Sequence, residues 1–532
     1  MEKLDTVIVG AGFSGLYMLH RLRQLGVSAK VYEAGRSVGG TWFWNRYPGA
    51  RVDIESQEYS YSFSPELDAE WKWTERYAAQ PELLAYLNHV ADRFDLRRDI
   101  QLETRVAAAR YDEAARRWTV TTDRGESVSA RHVVMATGCL SIPKEDAEIA
   151  GSDTFKGPSW HTGRWPEGGV DFTGKTVGVI GTGSSAIQSI PQIAAQARRV
   201  TVFQRTPNFS TPAHNGPVDP AVVADWAANR ERYRKEARDT GFGVRSIGAS
   251  ETPTFSVSAE ERQKEFDARW AYGGFALLGA YSDLVGDLNA NATAAEYVRG
   301  KIREIVKDPV IAEKLAPKTY PIGAKRICVD TGYYATFNRD NVSLVDLTEE
   351  PIERITPAGI KTSKQEYPVD AIVYAIGFDA MTGALDKIDI AGKGGAKLKD
   401  AWAAGPKTYL GLMVAGFPNL FLVTGPGSPS VLCNMAVAIE QHVEWISDCI
   451  GWMADHQAGS IEATEAAQDD WVAHVNEVAQ ATIFPHANSW YLGANVPGKP
   501  RVFMPYIGGF PVYRDKCNEV AAKGYEGCVV AA

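Results

Sequence analysis

One short glycine-rich turn near the beginning of the chain limits the possible folds more than any other feature. The apolar run TVIV leads into GAGFSG, a helix-like stretch follows, and the next apolar run ends in an acidic residue. Glycines at this spacing let backbone N–H groups approach a pyrophosphate, and the acid accepts hydrogen bonds from ribose hydroxyls. The pattern therefore predicts a dinucleotide-binding α/β unit. The residues predicted to bind the dinucleotide are Gly10, Gly12, Gly15 and Glu33.

A second turn of the same kind follows downstream, with a different residue at its far end. TVGVI leads into GTGSSA, in which Ala186 takes the third key position, and Arg205 stands where the first copy has its acid. An acid would repel a 2′-phosphate, whereas arginine pairs with it bidentately. The first turn is therefore predicted to bind FAD and the second NADP(H), with a surface arginine at a strand end as the alternative interpretation of Arg205. The second turn's predicted ligands are Gly181, Gly183, Ser184 and Arg205.

Two further buried-strand patterns, HVVMATG and DAIVYAIGFD, end in glycine, as happens where a chain leaves one nucleotide domain and later returns to it. The segment between them is rich in helix formers. We therefore expect an α/β fold with two Rossmann-like dinucleotide-binding domains and a helical subdomain inserted in the NADP domain. The expected boundaries are 1–142 and 385–532 for the FAD domain, 143–212 and 331–384 for the NADP domain, and 213–330 for the helical subdomain.

Composition excludes several other classes of protein. The net charge is −9 and there is no long basic run, which argues against nucleic acid as a partner. No apolar run approaches the ~18 residues of a membrane span. The six scattered cysteines indicate a reducing cytoplasm without disulfides or a metal site, and a strand-like run at Thr6 predicts no signal peptide. We expect a cytoplasmic monomer.

Two longer motifs carry a resemblance to a known family. FKGPSWHTGRWP and GTWFWNRYPGARVD fit F-x-G-x-x-x-H-x-x-x-W-P and G-x-W-x-x-x-x-Y-P-G-x-x-x-D, and both closely resemble patterns of the Baeyer–Villiger monooxygenases. The resemblance runs nearly end to end and is especially close to the phenylacetone and steroid monooxygenase type. The matching residues are Phe155, Gly157, His161, Trp165 and Pro166 in the first motif, and Gly40, Trp42, Tyr47, Pro48, Gly49 and Asp53 in the second.

The resemblance implies an activity. NADPH reduces FAD, the reduced flavin takes up dioxygen, and the resulting flavin peroxide attacks a ketone to give an ester or lactone. Sulfoxidation is implied as a side activity. The peroxide and the developing oxyanion both need fixed positive charge, which arginine retains where lysine can lose it.

The resemblance also assigns residues. Arg326 is the implied catalytic arginine, and Asp53 is the carboxylate that orients it; taken without the resemblance, they are a solvated arginine and a turn-capping aspartate. Trp490 is implied to close over NADP⁺, with a core tryptophan as the alternative. Lys325 and Thr206 join Arg205 in selecting the 2′-phosphate, Gly40, Thr41 and Trp42 contact cofactor, and Ser430, Val431 and Leu432 shape the ketone pocket.

FKGPSWHTGRWP itself is expected to be neither helix nor strand, because Gly157, Pro158 and Pro166 interrupt both. We expect a hinge between the nucleotide domains, with Phe155 and Trp165 anchoring it. His161 is expected to tie the loop towards the NADP side and not to act as a general base.

Three other functions remain as alternatives. A nitrogen- or sulfur-oxygenating flavin monooxygenase usually ends the first motif with tyrosine and a basic residue, where this chain has Trp165 and Pro166. A flavoprotein disulfide reductase needs a cysteine pair soon after the first turn, yet the first cysteine is Cys139. A non-catalytic nucleotide sensor has no need for Arg326 and Asp53.

Overall fold

The structure is a computed structural model that describes residues 1–145 and 149–532. The strands are β1 (Glu2–Val9), β2 (Ala29–Tyr32), β3 (Ile100–Gln101), β4 (Val106–Asp112), β5 (Arg117–Thr122), β6 (Ser127–Met135), β7 (Ser159–His161), β8 (Thr176–Ile180), β9 (Arg199–Gln204), β10 (Ser210–Pro212), β11 (Cys328–Asp330), β12 (Val342–Asp346), β13 (Ile352–Thr356), β14 (Gly359–Thr362), β15 (Glu366–Pro368), β16 (Ala371–Tyr374), β17 (Asp389–Ala391), β18 (Leu420–Leu422), β19 (Ser460–Ala463) and β20 (Cys528–Ala531).

The helices connect and cover these strands. They are α1 (Phe13–Gln24), α2 (Thr41–Trp44), α3 (Pro65–Glu70), α4 (Gln80–Arg93), α5 (Ser184–Gln196), α6 (Pro220–Arg238), α7 (Ala259–Tyr272), α8 (Leu288–Ile305), α9 (Pro309–Leu315), α10 (Tyr333–Thr336), α11 (Gly383–Asp386), α12 (Leu398–Ala401), α13 (Met435–Asp455), α14 (Glu465–Gln480) and α15 (Phe510–Ala522). In the described part of the chain, no helix is both long and apolar enough to cross a membrane.

The first sheet has the strand order β17-β4-β5-β6-β1-β2-β3, with β18 also paired to β6. β1 lies between β2 and β6 and runs parallel to both. Residues Thr6 to Val9 of β1 are buried, because Ile8 packs in the core that includes α1 and α13, and Val7 and Val9 pack in the core on the other face with residues of β4 to β6. Helix α1 packs against α13 from the far end of the chain. The first turn therefore sits at the carboxyl end of β1, where ligands bind in open α/β sheets.

The second sheet repeats this arrangement in the order β12-β9-β8-β16-β7, and all its strand pairs are parallel. β8 lies between β9 and β16, just as β1 lies between β2 and β6. The edge strand β7 belongs to the stretch FKGPSWHTGRWP, so the expectation that this stretch contains no strand was wrong. Pro158 precedes the strand, and an edge strand needs partners on one side only, so the proline does not prevent pairing with β16.

Helices α6 to α9 all fall within the segment predicted as the helical subdomain. One face of α6 carries Arg230, Arg234 and Arg238, which form ion pairs with Asp68 and Glu440. These acids belong to the parts of the chain assigned to the FAD domain. The domain boundaries stay a prediction, and residues 146–148 of the expected NADP domain lie outside the described residues.

Candidate active site

The first glycine turn is shaped by close backbone packing. Gly10 has φ +103°, and a Cβ there would lie 2.6 Å from the carbonyl oxygen of Ala136. A Cβ on Gly15 would lie 1.8 Å from the carbonyl oxygen of Gly10. Gly12 is the N-cap residue of α1, so the positive end of that helix faces the cavity in front of the turn. The turn is thus shaped to hold a pyrophosphate.

Glu33 closes this turn from the end of β2. Its two carboxylate oxygens accept hydrogen bonds of 2.7 Å from the backbone N–H groups of Ala11 and Gly35. Burial raises the pKa of Glu33, although both hydrogen bonds oppose the rise. The carboxylate retains unused lone pairs towards the cavity that it lines, and those are available to ribose hydroxyls.

The segment around α2 covers the same turn. Gly40 has φ +52°, and a Cβ there would lie 2.9 Å from the Cα atom of Gly12. Thr41 is exposed and lines the cavity, whereas Trp42 is buried and its indole Nε1–H donates to the Tyr59 hydroxyl at 3.3 Å. All three residues therefore lie beside the first turn, and their contact with a cofactor stays a prediction.

The second turn has the same backbone form. Gly181 has φ +110°, and a Cβ there would lie 2.4 Å from the carbonyl oxygen of Ala375. Gly183 is the N-cap residue of α5, and Ser184 is exposed at the first position of that helix. Ala186 stands fully buried where the first turn has a glycine, so the backbone here leaves room for a methyl group.

Two cations lie on the same side of the second turn. Arg205 is exposed at the end of β9, and Lys325 holds its Nζ 4.7 Å from the ring centroid of Tyr320. Burial and the positive charge of Arg205 lower the pKa of Lys325. Thr206 adjoins them, and its carbonyl oxygen accepts a 2.8 Å hydrogen bond from Thr182. Two cations that repel one another across a cavity form a site suited to an anion such as phosphate.

A single cavity of about 1430 Å³ joins the two turns. Both shaped turns line this cavity, and each fits the pyrophosphate of a dinucleotide. The residues present therefore fit FAD and NADP(H). Predicted site residues that line it include Gly10, Gly12, Glu33, Gly40, Thr41, Trp42, Asp53, Gly181, Gly183, Ser184, Arg205, Thr206, Lys325, Arg326, Val431 and Trp490.

An ion pair occupies the middle of this cavity. Arg326 donates from Nε and Nη2 to the two carboxylate oxygens of Asp53, at 2.8 and 2.9 Å, and from Nη1 to the carbonyl oxygen of Val431 at 2.6 Å. The two charged side chains are 24% and 26% exposed, so both still reach the cavity. Such a bidentate pair fixes the plane of the guanidinium group.

Arg326 keeps its positive charge. Burial alone would lower its pKa, but Asp53 and the Tyr491 hydroxyl raise it above the usual arginine value. Burial raises the pKa of Tyr491 to about 12 against the opposing charge of Arg326. Tyr491 follows Trp490 directly, and their ring centroids are 4.4 Å apart. The sequence analysis missed Tyr491, for which the only signal is its place beside Trp490.

The segment predicted to shape the ketone pocket forms one turn of 3₁₀ helix, Ser430–Leu432. Val431 lines the cavity, as do Cys433 and Met435 beyond it. Ser430 has φ +43°, is fully buried, and directs its hydroxyl at the sulfur of Met381, 3.9 Å away. Among the described residues, those that line the cavity do not include Ser430 or Leu432. The structure therefore places only Val431 of these three at the cavity wall.

The first motif lies at the edge of the second sheet. His161 is buried, and its Nδ1 accepts a 2.9 Å hydrogen bond from the Gly163 N–H, which places the ring proton on Nε2. Trp165 is 4% exposed and packs near Trp160 and Phe172. Among the described residues, Gly163 lines the cavity and His161 does not. The imidazole thus shapes the loop and does not face the cavity.

Close packing fixes the two ends of this motif. Gly157 lies so near Phe155 that a Cβ would come within 2.6 Å of the phenylalanine ring. After Pro166, Glu167 pairs with Arg46 at 2.8 Å, and also with Arg36. Both arginines belong to the part of the chain that covers the first turn, so the motif touches both nucleotide regions.

Comparison with known proteins identifies the family. The model of a family described as pyridine nucleotide-disulphide oxidoreductase matches residues 7–238. A Baeyer–Villiger monooxygenase of Pseudooceanicola batsensis is 43% identical, covering 99% of this chain and 96% of the relative. A phenazine N-monooxygenase of Lysobacter antibioticus is also 43% identical, covering 99% and 97%. A solved structure of oxidized steroid monooxygenase bound to NADP is 53% identical, with a TM-score of 0.95 and 99% of each chain covered.

Two dinucleotide turns that open onto one cavity with an arginine–carboxylate pair between them define a flavin-dependent monooxygenase. The chain belongs to the Baeyer–Villiger monooxygenases. The family and the α/β fold class predicted from the sequence are confirmed. The roles of the individual site residues stay predictions.

Proposed function

We propose that this protein uses NADPH and dioxygen to convert ketones into esters or lactones. One observation carries the proposal: the Asp53–Arg326 pair lies within the cavity that joins the FAD-type turn to the NADP-type turn. Bound FAD supplies the redox chemistry that activates dioxygen, with electrons that come from NADPH. The residues around it determine where the ketone lies and which charges it meets.

Arg326 holds the carbonyl oxygen of the ketone as negative charge develops on it. Three of its five N–H groups donate to Asp53 and Val431, and the Tyr491 hydroxyl is a further partner, which leaves at least one N–H group of the guanidinium for substrate. A preorganised donor of this kind contributes roughly 3–4 kcal/mol to a transition state. Asp53 keeps the guanidinium in its plane. The two residues form the catalytic pair of the proposal.

The FAD half of the site is formed by Gly10, Gly12, Gly15 and Glu33 with the segment Gly40–Trp42. On the NADP side, Gly181, Gly183 and Ser184 contact the pyrophosphate, and Arg205, Thr206 and Lys325 hold the 2′-phosphate. Trp490 covers the nicotinamide end. We propose the domain boundaries given from the sequence, and the two separate sheets support them.

The ketone lies against Val431, and Ser430 and Leu432 act on the pocket indirectly, by setting the path of the backbone that carries Val431. This role is smaller than the sequence suggested. Sulfoxidation is the proposed side activity, because a thioether fits the same apolar wall. The phenylacetone and steroid type of ketone is the favoured substrate class, and the steroid monooxygenase relative supports it.

N-oxygenation is the second candidate, because a phenazine N-monooxygenase is as similar to this chain as a relative named for ketone chemistry. The two candidates make different demands on the site. Oxygen transfer to an amine produces no oxyanion on a carbonyl, so it has less need of a fixed cation at Arg326.

A substrate panel with isotopic oxygen tests the proposal. Aryl, linear, cyclic and steroidal ketones, together with phenazines and thioethers, are each incubated with NADPH and ¹⁸O₂. We expect ester or lactone with one labelled oxygen atom. NADPH consumption that yields only hydrogen peroxide with every ketone would rule the proposal out, and a labelled N-oxide without ester would favour the second candidate.

Arg326→Ala tests the role of the arginine. We expect reduction of bound flavin by NADPH within about threefold of wild type and ester formation at least ~100-fold slower, since ~3 kcal/mol of charge stabilisation is lost. Arg339→Ala, at an exposed arginine away from the cavity lining, is the matched control. Ester formation near the wild-type rate in Arg326→Ala would remove Arg326 from the mechanism.

We also propose that the protein works as a cytoplasmic monomer without nucleic acid or membrane partners. The net charge of −9 and six cysteines scattered without pairs support this placement. Light scattering on a sizing column checks the oligomeric state, and a dimer peak at micromolar concentration would correct it.

A further inference from the structure

The second sequence motif packs against helix α5, where Gln188 makes the side-chain hydrogen bonds to it and Gln192 lies beside Gly49. Gln188 is 8% exposed and lies one helical turn after Ser184, on the helix that begins at the NADP-type turn. The Tyr47 hydroxyl donates to its Oε1 at 2.8 Å, and its Nε2 donates to the carbonyl oxygen of Arg51 at 3.1 Å. One amide thus accepts from one residue of the motif and donates to another.

The backbone of the motif also approaches α5 at this point. Gly49 has φ +83°, and a Cβ there would lie 2.3 Å from the carbonyl oxygen of Gln188. A larger residue would push the loop off the helix. The tyrosine and the second glycine of the motif therefore both contact Gln188.

This contact lies between two parts of the site. Arg51, which accepts from Gln188, is two residues before Asp53, and Asp53 fixes the plane of Arg326. One turn earlier on the same helix, Ser184 faces the cavity in front of the second turn. A small shift of α5 on nucleotide binding therefore reaches Asp53 through Gln188, whereas Ser184 contacts Cys328, two residues after Arg326, by a separate route.

We propose that Gln188 is a positioning residue that links the placement of NADP(H) on helix α5 to the orientation of the Asp53–Arg326 pair. The inference rests on the proposed function for its catalytic consequence. An amide suits the task because it offers an acceptor to Tyr47 and a donor to Arg51 at once. Glutamate retains only the acceptor, and leucine of similar size retains neither.

Hydrogen exchange tests the link without any turnover. The FAD-loaded protein is compared with and without NADP⁺, and exchange is followed in peptides covering 47–53 and 181–187. In wild type, NADP⁺ is expected to slow exchange in both segments at least threefold. Gln188→Leu is expected to keep the slowing in 181–187 and lose it in 47–53.

Gln196→Leu, the same substitution on the exposed end of α5, is the matched control and is expected to behave as wild type. Equal slowing in 47–53 for wild type and Gln188→Leu overturns the inference. So does a loss in 47–53 that the Gln196→Leu control shares, because the effect then comes from the helix as a whole.

Product coupling gives the second readout. The fraction of consumed NADPH that appears as ester is expected to fall at least fivefold in Gln188→Leu, while the rate of flavin reduction changes less than threefold. Gln188→Glu is expected to give an ester fraction between those of wild type and Gln188→Leu. Adding Tyr47→Phe to Gln188→Leu is expected to lower the ester fraction little further. If the effects of Tyr47→Phe and Gln188→Leu on the ester fraction add fully in the double variant, the two residues do not act through one contact, and the inference is contradicted. If wild type makes no ester from any ketone, the proposed function fails, and hydrogen exchange alone still decides this inference.

Discussion

The two glycine-rich turns have nearly the same backbone, and two of their sequence differences bear on packing and on cofactor choice. Gly10 and Gly181 have φ +103° and +110°, and each lies under a backbone carbonyl, that of Ala136 or Ala375, which leaves no room for a side chain. This shared form accounts for pyrophosphate binding at both. It does not distinguish one dinucleotide from the other.

The difference lies at the third glycine position and at the end of the second strand. The first turn ends in a buried acid, Glu33, which accepts hydrogen bonds from its own turn, whereas the second ends in an exposed cation, Arg205. At the third position, Gly15 touches backbone and Ala186 has room for its methyl group. This difference fits the proposal that the glycines shape a dinucleotide site and that the strand-end residue selects between FAD and NADP(H).

The largest expected effect comes from a substitution at the third key position of the first turn, where the second turn already has alanine. Gly15→Ala is expected to cost about 3 kcal/mol or more, because its Cβ would come within 1.8 Å of a carbonyl oxygen and α1 must move. We expect the purified protein to have lost most of its flavin, measured by the visible absorbance of the flavin and by thermal unfolding.

The reverse change in the second turn, Ala186→Gly, is the control. It removes a methyl group from a helix and is expected to cost about 1 kcal/mol with flavin content unchanged. If both variants keep the same flavin content as wild type, the two turns pack alike and the comparison fails.

A smaller effect tests the strand-end residues. Arg205→Ala is expected to raise the KM for NADPH roughly 10- to 150-fold, the value of a lost charge-assisted hydrogen bond of about 1.5–3 kcal/mol, and to change the KM for NADH less than threefold. Arg199→Ala, an exposed arginine at the start of the same strand, is the control. Equal changes for both nucleotides would show that Arg205 does not contact the 2′-phosphate.

The smallest effect depends on pH. Because burial and Arg205 lower the pKa of Lys325, it loses its proton below the usual lysine range as pH rises. We expect the KM for NADPH to rise a fewfold through that alkaline window and the KM for NADH to stay level. The unliganded fold gains slight stability over the same window, since its lysine releases a proton more readily than that of the unfolded chain.

Lys325→Arg is the control for this pH effect, because a guanidinium stays charged throughout the range. We expect its KM for NADPH to show no rise. An identical rise in Lys325→Arg and wild type would assign the pH dependence to another group.

Local constraints explain how far the sequence could predict this molecule. The glycine turns were predictable because their requirement for glycine is set by neighbouring backbone. Strand β7 was not predictable from the sequence, because its partner β16 lies about two hundred residues later in the chain and Pro158 argues against a strand at this place. Gln188 and Tyr491 look like ordinary helix and loop residues, and only the fold brings them to the ion pair.

The position of Val431 was predictable from resemblance, but the inward direction of Ser430 was not. Its positive φ turns the side chain away from the cavity and towards Met381, and no local pattern in GPGSP specifies that turn. The sequence thus predicted well which segments form the site. It predicted less well which side chains of those segments face the cavity.

The spacing of the ion pair along the chain has a consequence for protein synthesis. Asp53 and Arg326 are 273 residues apart, and the carbonyl that completes the cluster at Val431 comes another 105 residues later. Strand β18, which pairs with β6 in the first sheet, is also made late. A nascent or prematurely terminated chain therefore carries both glycine-rich turns long before it has an assembled reaction centre.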